Sequence, residues 1–284
     1  MNIEKVLVIG AGQMGSGIAQ VAAQAGLQVY LYDIHRAAVT KGRQRIEKSL
    51  SKFVSKGKLR EDEKEAILAR IQDSTSLEDA AHCQCVIEAA VEKMEIKKKI
   101  FQEVDQWAPQ EAILASNTSS LPITALASYT ERPDRVIGMH FMNPVPVMRL
   151  VEIIRGLATS DETYDAIANL TEKMGKVAVS CKDIPGFISN RVLQVMINEA
   201  IWCYYEGAAT ADGIDSIMKL GMNHPMGPLE LADLIGLDTV LAILEVLQEG
   251  YGDPKYRPCP LLRQYVQAGY LGRKTGRGFY NYEA

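Results

Sequence analysis

An apolar strand that runs directly into a glycine-rich turn and a helix constrains this chain more than any other feature. Lys5–Ile9 is rich in aliphatic residues, as expected for a central parallel strand that is buried on both faces. Gly10-Ala11-Gly12-Gln13-Met14-Gly15 follows at once, and apolar residues then recur at helical spacing until Gly26. A second strand, Gln28–Tyr32, ends at Asp33. This order predicts a Rossmann-type unit that binds a dinucleotide.

The glycine-rich turn also predicts how the dinucleotide is held. Gly10 permits a tight turn, Gly12 lets the pyrophosphate approach the backbone, and Gly15 lets the helix pack closely on the strand. Asp33 can accept hydrogen bonds from both ribose hydroxyls and repels a 2′-phosphate, which favours NAD over NADP as the cofactor. Arg36 is close enough in sequence to offset part of that repulsion. A Rossmann-like turn without a ligand is the alternative interpretation.

Residues 36–72 interrupt the alternation of strands and helices. Two helical patterns are separated by Gly57, and Lys48, Lys52 and Lys56 recur at every fourth position on one side of the first. So long a connection predicts a helical arm against which something extra packs or binds.

Strand and helix patterns alternate again from residue 83 to residue 180. The predicted strands are Cys83–Ala90, Ala112–Ser116, Arg135–Phe141, Arg149–Ile154 and Lys176–Ser180, and the predicted helices are Lys93–Trp107, Pro122–Ser128 and Glu162–Met174. Only about six residues join the third of these strands to the fourth, which is too few for a parallel crossover, so this pair should be antiparallel. The sequence therefore predicts an α/β fold with a doubly wound, mostly parallel sheet and a helical arm.

After Asp183-Ile184-Pro185-Gly186 the strand patterns stop. Helical patterns cover Phe187–Glu206, Ala211–Leu220, Pro228–Leu247 and Pro260–Ala268. We therefore place a domain boundary near residue 184: residues 1–184 form the dinucleotide-binding domain, and residues 185–284 form an all-helical domain for substrate binding or dimerisation. Ile197, Ile201 and Trp202 of this domain suit either a subunit interface or an ordinary core.

The amino-acid composition limits the classes of binding partner that we expect. With 31 basic and 35 acidic residues the formal net charge is −4, which argues against a nucleic acid or a membrane surface as a partner. The N-terminus shows no signal or transit peptide pattern, and five irregularly spaced cysteines do not suggest a disulfide framework, so we expect a cytoplasmic protein. Cys83 and Cys85 form a C-x-C, for which buried strand residues are the interpretation and a metal site the alternative. We expect no bound metal.

His140 is the strongest candidate among the four histidines for a proton acceptor. It ends a predicted strand, at the edge of the sheet where such folds bind ligands. If residues 136–142 and 149–155 form a hairpin, the numbers of facing residues add up to about 291 or 292, which places His140 opposite Glu152. The carboxylate would fix the imidazole tautomer and stabilise the imidazolium. An incidental cross-strand pair is the alternative.

Five sequence blocks resemble the signature blocks of the L-3-hydroxyacyl-CoA dehydrogenases, and the similarity extends over the whole chain. They are Ala115-Ser116-Asn117-Thr118-Ser119-Ser120-Leu121, Gly138-Met139-His140-Phe141-Met142-Asn143-Pro144, Leu150-Val151-Glu152-Ile153, Asp183-Ile184-Pro185-Gly186-Phe187-Ile188-Ser189-Asn190-Arg191 and Asn223-His224-Pro225-Met226-Gly227-Pro228. The resemblance implies an NAD-dependent enzyme that interconverts 3-hydroxyacyl-CoA and 3-ketoacyl-CoA, with four-carbon chains such as 3-hydroxybutyryl-CoA and acetoacetyl-CoA favoured. It also implies a homodimer paired through the smaller domain.

The resemblance also implies roles for individual residues. His140 and Glu152 would be the catalytic pair, and Ser119 and Asn190 would hydrogen-bond the substrate. The residues implied to line the cofactor, besides the glycine-rich turn and Asp33, are Glu92, Lys97, Asn117, Ser119, Asn143 and Lys274. Ser49, Lys52 and Lys56 would contact the CoA tail. An exposed Glu92–Lys97 ion pair, a solvated lysine face and a nucleophilic Ser119, beside which no base is expected, are the alternatives.

Two other functions fit parts of the pattern. A dehydrogenase of the same fold could act on a free hydroxy acid instead of a CoA thioester. A nicotinamide-sensing regulator would need a DNA-reading element, and the sequence shows no basic helix-turn-helix pattern. The enzyme acting on acyl-CoA is the function that the sequence favours.

Overall fold

A computed structural model of the chain describes residues 1–282. The chain divides into two compact units, Met1–Ile184 and a second unit that begins at Pro185. No helix within the described residues is long and apolar enough to cross a membrane.

The first unit is built on an eight-stranded sheet. Its strands are β1 (Lys5–Ile9), β2 (Gln28–Tyr32), β3 (Ile71–Ser74), β4 (Cys85–Glu88), β5 (Ile113–Ser116), β6 (Val136–Phe141), β7 (Leu150–Arg155) and β8 (Val177–Lys182). They lie in the order β3-β2-β1-β4-β5-β6-β7-β8. All neighbours are parallel except β6 and β7, which are antiparallel. The predicted doubly wound sheet with one antiparallel pair is confirmed.

Helices cover both faces of this sheet, as a mostly parallel sheet requires. They are α1 (Gln13–Gln24), α2 (Arg36–Ser55), α3 (Glu61–Ala69), α4 (Met94–Trp107), α5 (Ile123–Ala127) and α6 (Asp161–Lys173). The two helices of the predicted arm are α2 and α3. The central strand β1 is buried along Val6–Ile9, which explains its uninterrupted apolar sequence.

β3 was not predicted. The predicted arm continued to residue 72, but Ile71 leaves the helical pattern and pairs with Val29 of β2 at the edge of the sheet. The strand has only four residues, of which the two central ones, Gln72 and Asp73, are exposed. An edge strand so short and so polar carries almost no apolar pattern.

The second unit contains the helices α7 (Ser189–Tyr205), α8 (Ala211–Gly221), α9 (Pro228–Ile235), α10 (Leu237–Tyr251) and α11 (Pro260–Gln267). The prediction of one helix over Pro228–Leu247 is wrong. Gly236 has a φ of 102°, which no right-handed helix accommodates, and it separates α9 from α10. Ile197 and Ile201 are fully buried in the core of this unit, so the core interpretation of these residues is correct.

Asp215 ties the helical unit together. It is fully buried, and its two carboxylate oxygens accept hydrogen bonds from the backbone N–H groups of Leu229 and Glu230, at 2.9 and 2.8 Å. These N–H groups belong to the first turn of α9, where no helical partner exists. Tyr280 donates its hydroxyl proton to the same carboxylate at 2.7 Å. One side chain thus caps a helix and holds the C-terminal segment.

We expect Asp215→Ala to destabilise the helical unit by about 3 kcal/mol, because it removes a helix cap and leaves three donors without their acceptor. Urea denaturation followed by tryptophan fluorescence measures the change. Asp212→Ala is the matched control, since Asp212 is an exposed first-turn residue of α8, and should cost at most about 0.5 kcal/mol. Equal losses in the two variants would contradict the role of Asp215.

Candidate active site

The carboxyl ends of β1, β2, β4, β5 and β6 meet at one edge of the sheet, and a predicted site residue follows or ends each of these strands. In doubly wound folds this is the edge that binds ligands, and the order of the strands reverses between β1 and β4. The site is therefore built from loops on a rigid parallel sheet.

Three glycines of the turn after β1 serve two different purposes. A Cβ on Gly10 would lie 2.5 Å from the carbonyl oxygen of Ala89, and one on Gly15 would lie 1.7 Å from that of Gly10. Gly10 also has a φ of 100°. Packing within the protein therefore requires these two glycines. A Cβ on Gly12 would meet nothing within 4 Å, so that glycine leaves open space beside the turn.

This open space suits a dinucleotide pyrophosphate. Gly12 is the residue before α1 and offers no side chain to cap it, so the N–H groups of the first turn keep their capacity to bind an anion. Asp33 lies beside the turn, and its carboxylate accepts a hydrogen bond from the N–H of Ala11 at 2.9 Å. A carboxylate has further acceptor sites for ribose hydroxyls. The residues present thus fit an NAD molecule.

A buried ion pair lies at the end of β4, and the sequence did not reveal it. The ammonium of Lys97 is 2.6 and 2.8 Å from the two carboxylate oxygens of Glu88, and both side chains are fully buried. Glu88 also accepts hydrogen bonds from the hydroxyl of Ser116 and the N–H of Ala90. The alternative of an exposed Glu92–Lys97 pair is wrong, because the side chain of Lys97 is buried. Glu92 is the second carboxylate beside Lys97, with an oxygen 3.4 Å from the ammonium nitrogen.

Glu92 organises the loop after β5. One of its oxygens accepts hydrogen bonds from the hydroxyl of Thr118 at 2.6 Å and from the N–H groups of Ser119 and Ser120. Burial alone would raise the pKa of Glu92, but the charge of Lys97 and these hydrogen bonds outweigh it and lower the pKa. The carboxylate therefore stays ionised and holds Ser119 in place.

The prediction that no base lies beside Ser119 is wrong. The carboxylate of Glu92 is 3.2 Å from the Ser119 hydroxyl oxygen. A carboxylate with a lowered pKa is nevertheless a weak base, and so it activates a serine nucleophile poorly. The contact supports an orienting role for Glu92.

Two asparagines implied to line the cofactor connect loops of the site. Asn117 follows β5 and accepts a hydrogen bond from the N–H of Phe141, the last residue of β6, at 2.9 Å. Asn143, in the loop after β6, accepts one at 2.9 Å from the side-chain amide of Gln13 in the glycine-rich turn. The first contact holds the end of β6 against the end of β5, and the second holds the loop after β6 against the dinucleotide turn.

His140 and Glu152 face each other across β6 and β7, as predicted. Nδ1 of the imidazole is 2.8 Å from a carboxylate oxygen of Glu152, and the two residues are 8% and 3% exposed. When the Glu152 carboxylate is ionised it only accepts hydrogen bonds, so Nδ1 is then the donor in this contact. The basic lone pair of the neutral ring is then on Nε2.

The helical arm contributes one side of a cavity near the turn. Ser49, half-buried on α2, lines this cavity together with Gln13, Arg45 and Asn143. The sequence did not single out Arg45, whose guanidinium donates a hydrogen bond to the carbonyl of Ala11 at 3.0 Å. Arg45 could have been found from its spacing, because it lies one helical turn before Ser49 on α2 and so on the same side of that helix. Lys52 and Lys56 lie at the exposed end of α2, which is compatible with either of their two interpretations.

Two residues implied to contact ligands belong to the second unit. Asn190 lies in the first turn of α7. Lys274 lies in a short turn at Arg273–Thr275, and its ammonium is 2.5 Å from the carboxylate of Asp238 in the first turn of α10.

Cys85 begins β4 and Cys83 lies two residues before it; both are fully buried and behave as core residues. Burial raises the pKa of the Cys83 thiol to about 12 and also raises that of Cys85, so both thiols are protonated. A protonated thiol is a poor metal ligand. Over the part of the chain that the structure describes, no group of three metal-binding side chains lies together.

Known proteins show the same architecture. The 3-hydroxyacyl-CoA dehydrogenase NAD binding domain matches residues 5–184, and the C-terminal domain of the same family matches residues 186–282. A probable 3-hydroxybutyryl-CoA dehydrogenase of Bacillus subtilis is 60% identical over 283 residues, which cover 100% of this chain and 99% of the relative. The human mitochondrial hydroxyacyl-coenzyme A dehydrogenase is 44% identical, covering 99% and 92%. The crystal structure of (S)-3-hydroxybutyryl-CoA dehydrogenase from Ralstonia eutropha is 53% identical, with a TM-score of 0.98 over the full length of both chains.

The two purposes of the glycines give a testable contrast. We expect Gly12→Ala to leave the free energy of unfolding within about 0.5 kcal/mol of the wild type, because the added methyl group meets no protein atom. NADH titration should show affinity lowered by at least about tenfold, because the methyl group enters the space beside the turn.

Gly15→Ala is the matched control and should behave in the opposite way. Its methyl group collides with the backbone of Gly10, so we expect a loss of about 2 kcal/mol or more in the free energy of unfolding. Unchanged NADH affinity in Gly12→Ala would contradict the assignment of the open space to the cofactor.

Proposed function

Because the chain belongs to the 3-hydroxyacyl-CoA dehydrogenase family, we propose that it interconverts (S)-3-hydroxybutyryl-CoA and acetoacetyl-CoA with NAD as cofactor. The observation that carries this proposal is the His140–Glu152 pair at the same edge of the sheet as a dinucleotide turn. Relatives named 3-hydroxybutyryl-CoA dehydrogenase, at 50–60% identity, support the four-carbon substrate.

In this proposal His140 is the proton acceptor. When bound, NAD would supply the acceptor for the hydride that leaves C3 of the hydroxyacyl group. Nε2 of His140 takes the proton of the 3-hydroxyl, and the negative charge of Glu152, 2.8 Å from Nδ1, stabilises the imidazolium that results. In the reverse direction the imidazolium returns the proton to the ketone oxygen.

Ser119 and Asn190 are proposed to hydrogen-bond the substrate oxygens. Glu92 supports this role for Ser119, because it holds both the N–H and the hydroxyl of that residue. Hydride transfer needs no covalent intermediate, so an orienting serine is sufficient. Glu92, Lys97, Asn117, Asn143 and Lys274 remain the residues proposed to line the cofactor, Lys97 through its contact with Glu92.

The CoA tail is proposed to lie against the arm. Ser49 lines the cavity beside α2, and Lys52 and Lys56 continue along the same helix toward its exposed end. Ammonium groups are suited to bind the phosphates of CoA. A free hydroxy acid has no phosphate for these lysines, so a contact with them would distinguish a CoA thioester from a free hydroxy acid.

The cellular location and the subunit arrangement complete the proposal. All five cysteines are free thiols, which supports the reducing cytoplasm as the compartment. We also propose a homodimer paired through α8 and the residue that follows it, because Ile217, Leu220 and Met222 are exposed within a few residues of each other. A large exposed apolar patch is typical of a subunit interface.

The catalytic proposal predicts the kinetics of two variants. We expect His140→Gln to lower kcat for the reduction of acetoacetyl-CoA by NADH about 10³-fold, because the proton donor and acceptor is lost. Glu152→Gln should lower kcat about 10²-fold, because the neutral amide stabilises the imidazolium less. Loss of NADH absorbance measures both. KM for NADH should change little.

His82→Gln is the control, because His82 is exposed and lies at the other end of β4. Its kcat should stay within about twofold of the wild type. Normal turnover by His140→Gln would refute the assignment of the base, and no turnover of acetoacetyl-CoA by the wild type would refute the proposed reaction itself.

The dimer proposal predicts a change of mass in solution. Leu220 is 88% exposed on α8, and we expect Leu220→Asp to shift the mass measured by light scattering from two chains toward one, because a buried unpaired carboxylate opposes association. Leu157→Asp is the control, since Leu157 is 90% exposed in the first unit, and it should leave the mass unchanged. A wild type with the mass of one chain would exclude the dimer.

A further inference from the structure

Lys176 is a buried lysine that the proposed reaction does not use. It directly precedes β8 and is 8% exposed. Burial lowers its pKa, and no carboxylate within residues 1–282 counteracts that shift. Burying an ammonium group without a carboxylate costs several kcal/mol unless other groups replace the lost water. The groups that the Lys176 ammonium binds therefore indicate what the lysine does at this position.

The ammonium of Lys176 binds two backbone carbonyls of one loop. It lies 2.5 Å from the carbonyl oxygen of Val145 and 2.7 Å from that of Met148. Both residues belong to the loop that joins β6 to β7. Within the loop, the N–H groups of Val147 and Met148 bind the carbonyl of Pro144 at 3.0 Å. Lys176 thus closes a turn that already has its own hydrogen bonds.

The topology of the sheet brings Lys176 to this loop. β7 is antiparallel to β6 and parallel to β8, so the start of β8 lies at the same edge as the end of β6. That edge carries His140 and the dinucleotide turn. Lys176 therefore lies at the edge of the sheet that carries the site, although it is distant in sequence from the other residues of that site.

The loop in turn contacts the dinucleotide turn and the helix after it. Val145 is buried against α1, so closely that a Cβ on Gly17 would lie 2.7 Å from that of Val145. Asn143 accepts its hydrogen bond from Gln13 at 2.9 Å. A displacement of the loop would therefore move Asn143 relative to the turn that is proposed to bind the pyrophosphate.

We propose that Lys176 is a positioning residue for cofactor binding: by binding the carbonyls of Val145 and Met148 it holds the β6–β7 loop, and with it Asn143, against the dinucleotide turn. The inference rests on the proposed function, because it names a residue that supports the cofactor binding which that function requires. Lys176 itself touches neither the substrate nor the reacting atoms. Its loss should weaken NADH binding selectively.

A purely structural role makes a different prediction. If Lys176 only stabilised the start of β8, its replacement would lower the free energy of unfolding and affect KM for NADH and KM for acetoacetyl-CoA alike. If Lys176 positions Asn143, its replacement should raise KM for NADH, and this effect should depend on the presence of Asn143. The two roles are therefore separable by kinetics.

The test compares Lys176→Met with Lys173→Met, at a temperature where both variants are folded by circular dichroism. Lys173 is an exposed lysine on the last turn of α6 that reaches the carbonyl of Ile3, so its replacement removes the same charge without touching the loop. We expect Lys176→Met to raise KM for NADH about tenfold, with kcat and KM for acetoacetyl-CoA within about twofold of the wild type. Lys173→Met should leave all three constants unchanged.

A double-mutant cycle with Asn143→Ala tests the route of the effect. If Lys176 acts through Asn143, Lys176→Met should change KM for NADH by less than about twofold in the Asn143→Ala background. Additive effects, equal changes in both KM values, or an unchanged KM for NADH would each overturn the proposal. If Lys176→Met does not fold, Lys176→Gln replaces it, since its shorter side chain cannot reach both carbonyls, and the same outcomes apply.

Direct titration with NADH separates this inference from the proposed function. Cofactor binding can be measured by fluorescence without any turnover. If the wild type bound NADH but did not reduce acetoacetyl-CoA, the proposed reaction would fail. The effect of Lys176→Met on the dissociation constant of NADH would still decide the role of Lys176.

Discussion

The hydrogen bond between His140 and Glu152 depends on the register of one antiparallel pair of strands. A slip of one residue between β6 and β7 would turn the side chains of one strand to the opposite face. Apolar neighbours prevent this slip. Met139, Phe141, Val151 and Ile153 alternate with the polar pair and are all buried in the main core. Each such burial stabilises the fold by about 1.5–3 kcal/mol, so their packing together outweighs a single charged hydrogen bond of about 1.5–3 kcal/mol. The packing of these apolar side chains therefore fixes the register of β6 and β7, and this register brings His140 opposite Glu152.

Hydrogen bonds then carry this order across the edge of the sheet. Asn117 connects the end of β5 to the end of β6, and Asn143 connects the loop after β6 to the glycine-rich turn. Glu92 holds the loop that carries Ser119. Because these bonds join residues that lie within about four positions of a strand end, the loops follow the geometry of the sheet. A reaction that transfers a hydride over a short distance requires such fixed positions.

The sequence predicts the parts of this site that depend on local spacing. The glycine-rich turn follows its strand directly, and the short β6–β7 connection fixes the hairpin, so the pairing of His140 with Glu152 can be worked out from numbering alone. The partner of Lys97 could not be predicted, because Glu88 stands on a strand that reads as apolar and its burial depends on neighbouring elements. The break at Gly236 was missed for a related reason: the residues on both sides of it continue a good helical pattern, and only the backbone angle reveals the turn.

The two buried lysines of the first unit show how differently the same charge can be accommodated at this edge. Lys97 lies between two carboxylates, so its burial is offset by charge, and removing Lys97 would leave the buried Glu88 carboxylate without its counter-charge at a cost of about 3–5 kcal/mol. Lys176 binds the carbonyl dipoles of Val145 and Met148, and burial lowers its pKa. Replacing buried charged groups with well-packed apolar side chains of similar size is often neutral or stabilising. Both lysines bind groups that shape loops beside the dinucleotide turn. Their positions are therefore better explained by the geometry of the site than by the stability of the fold.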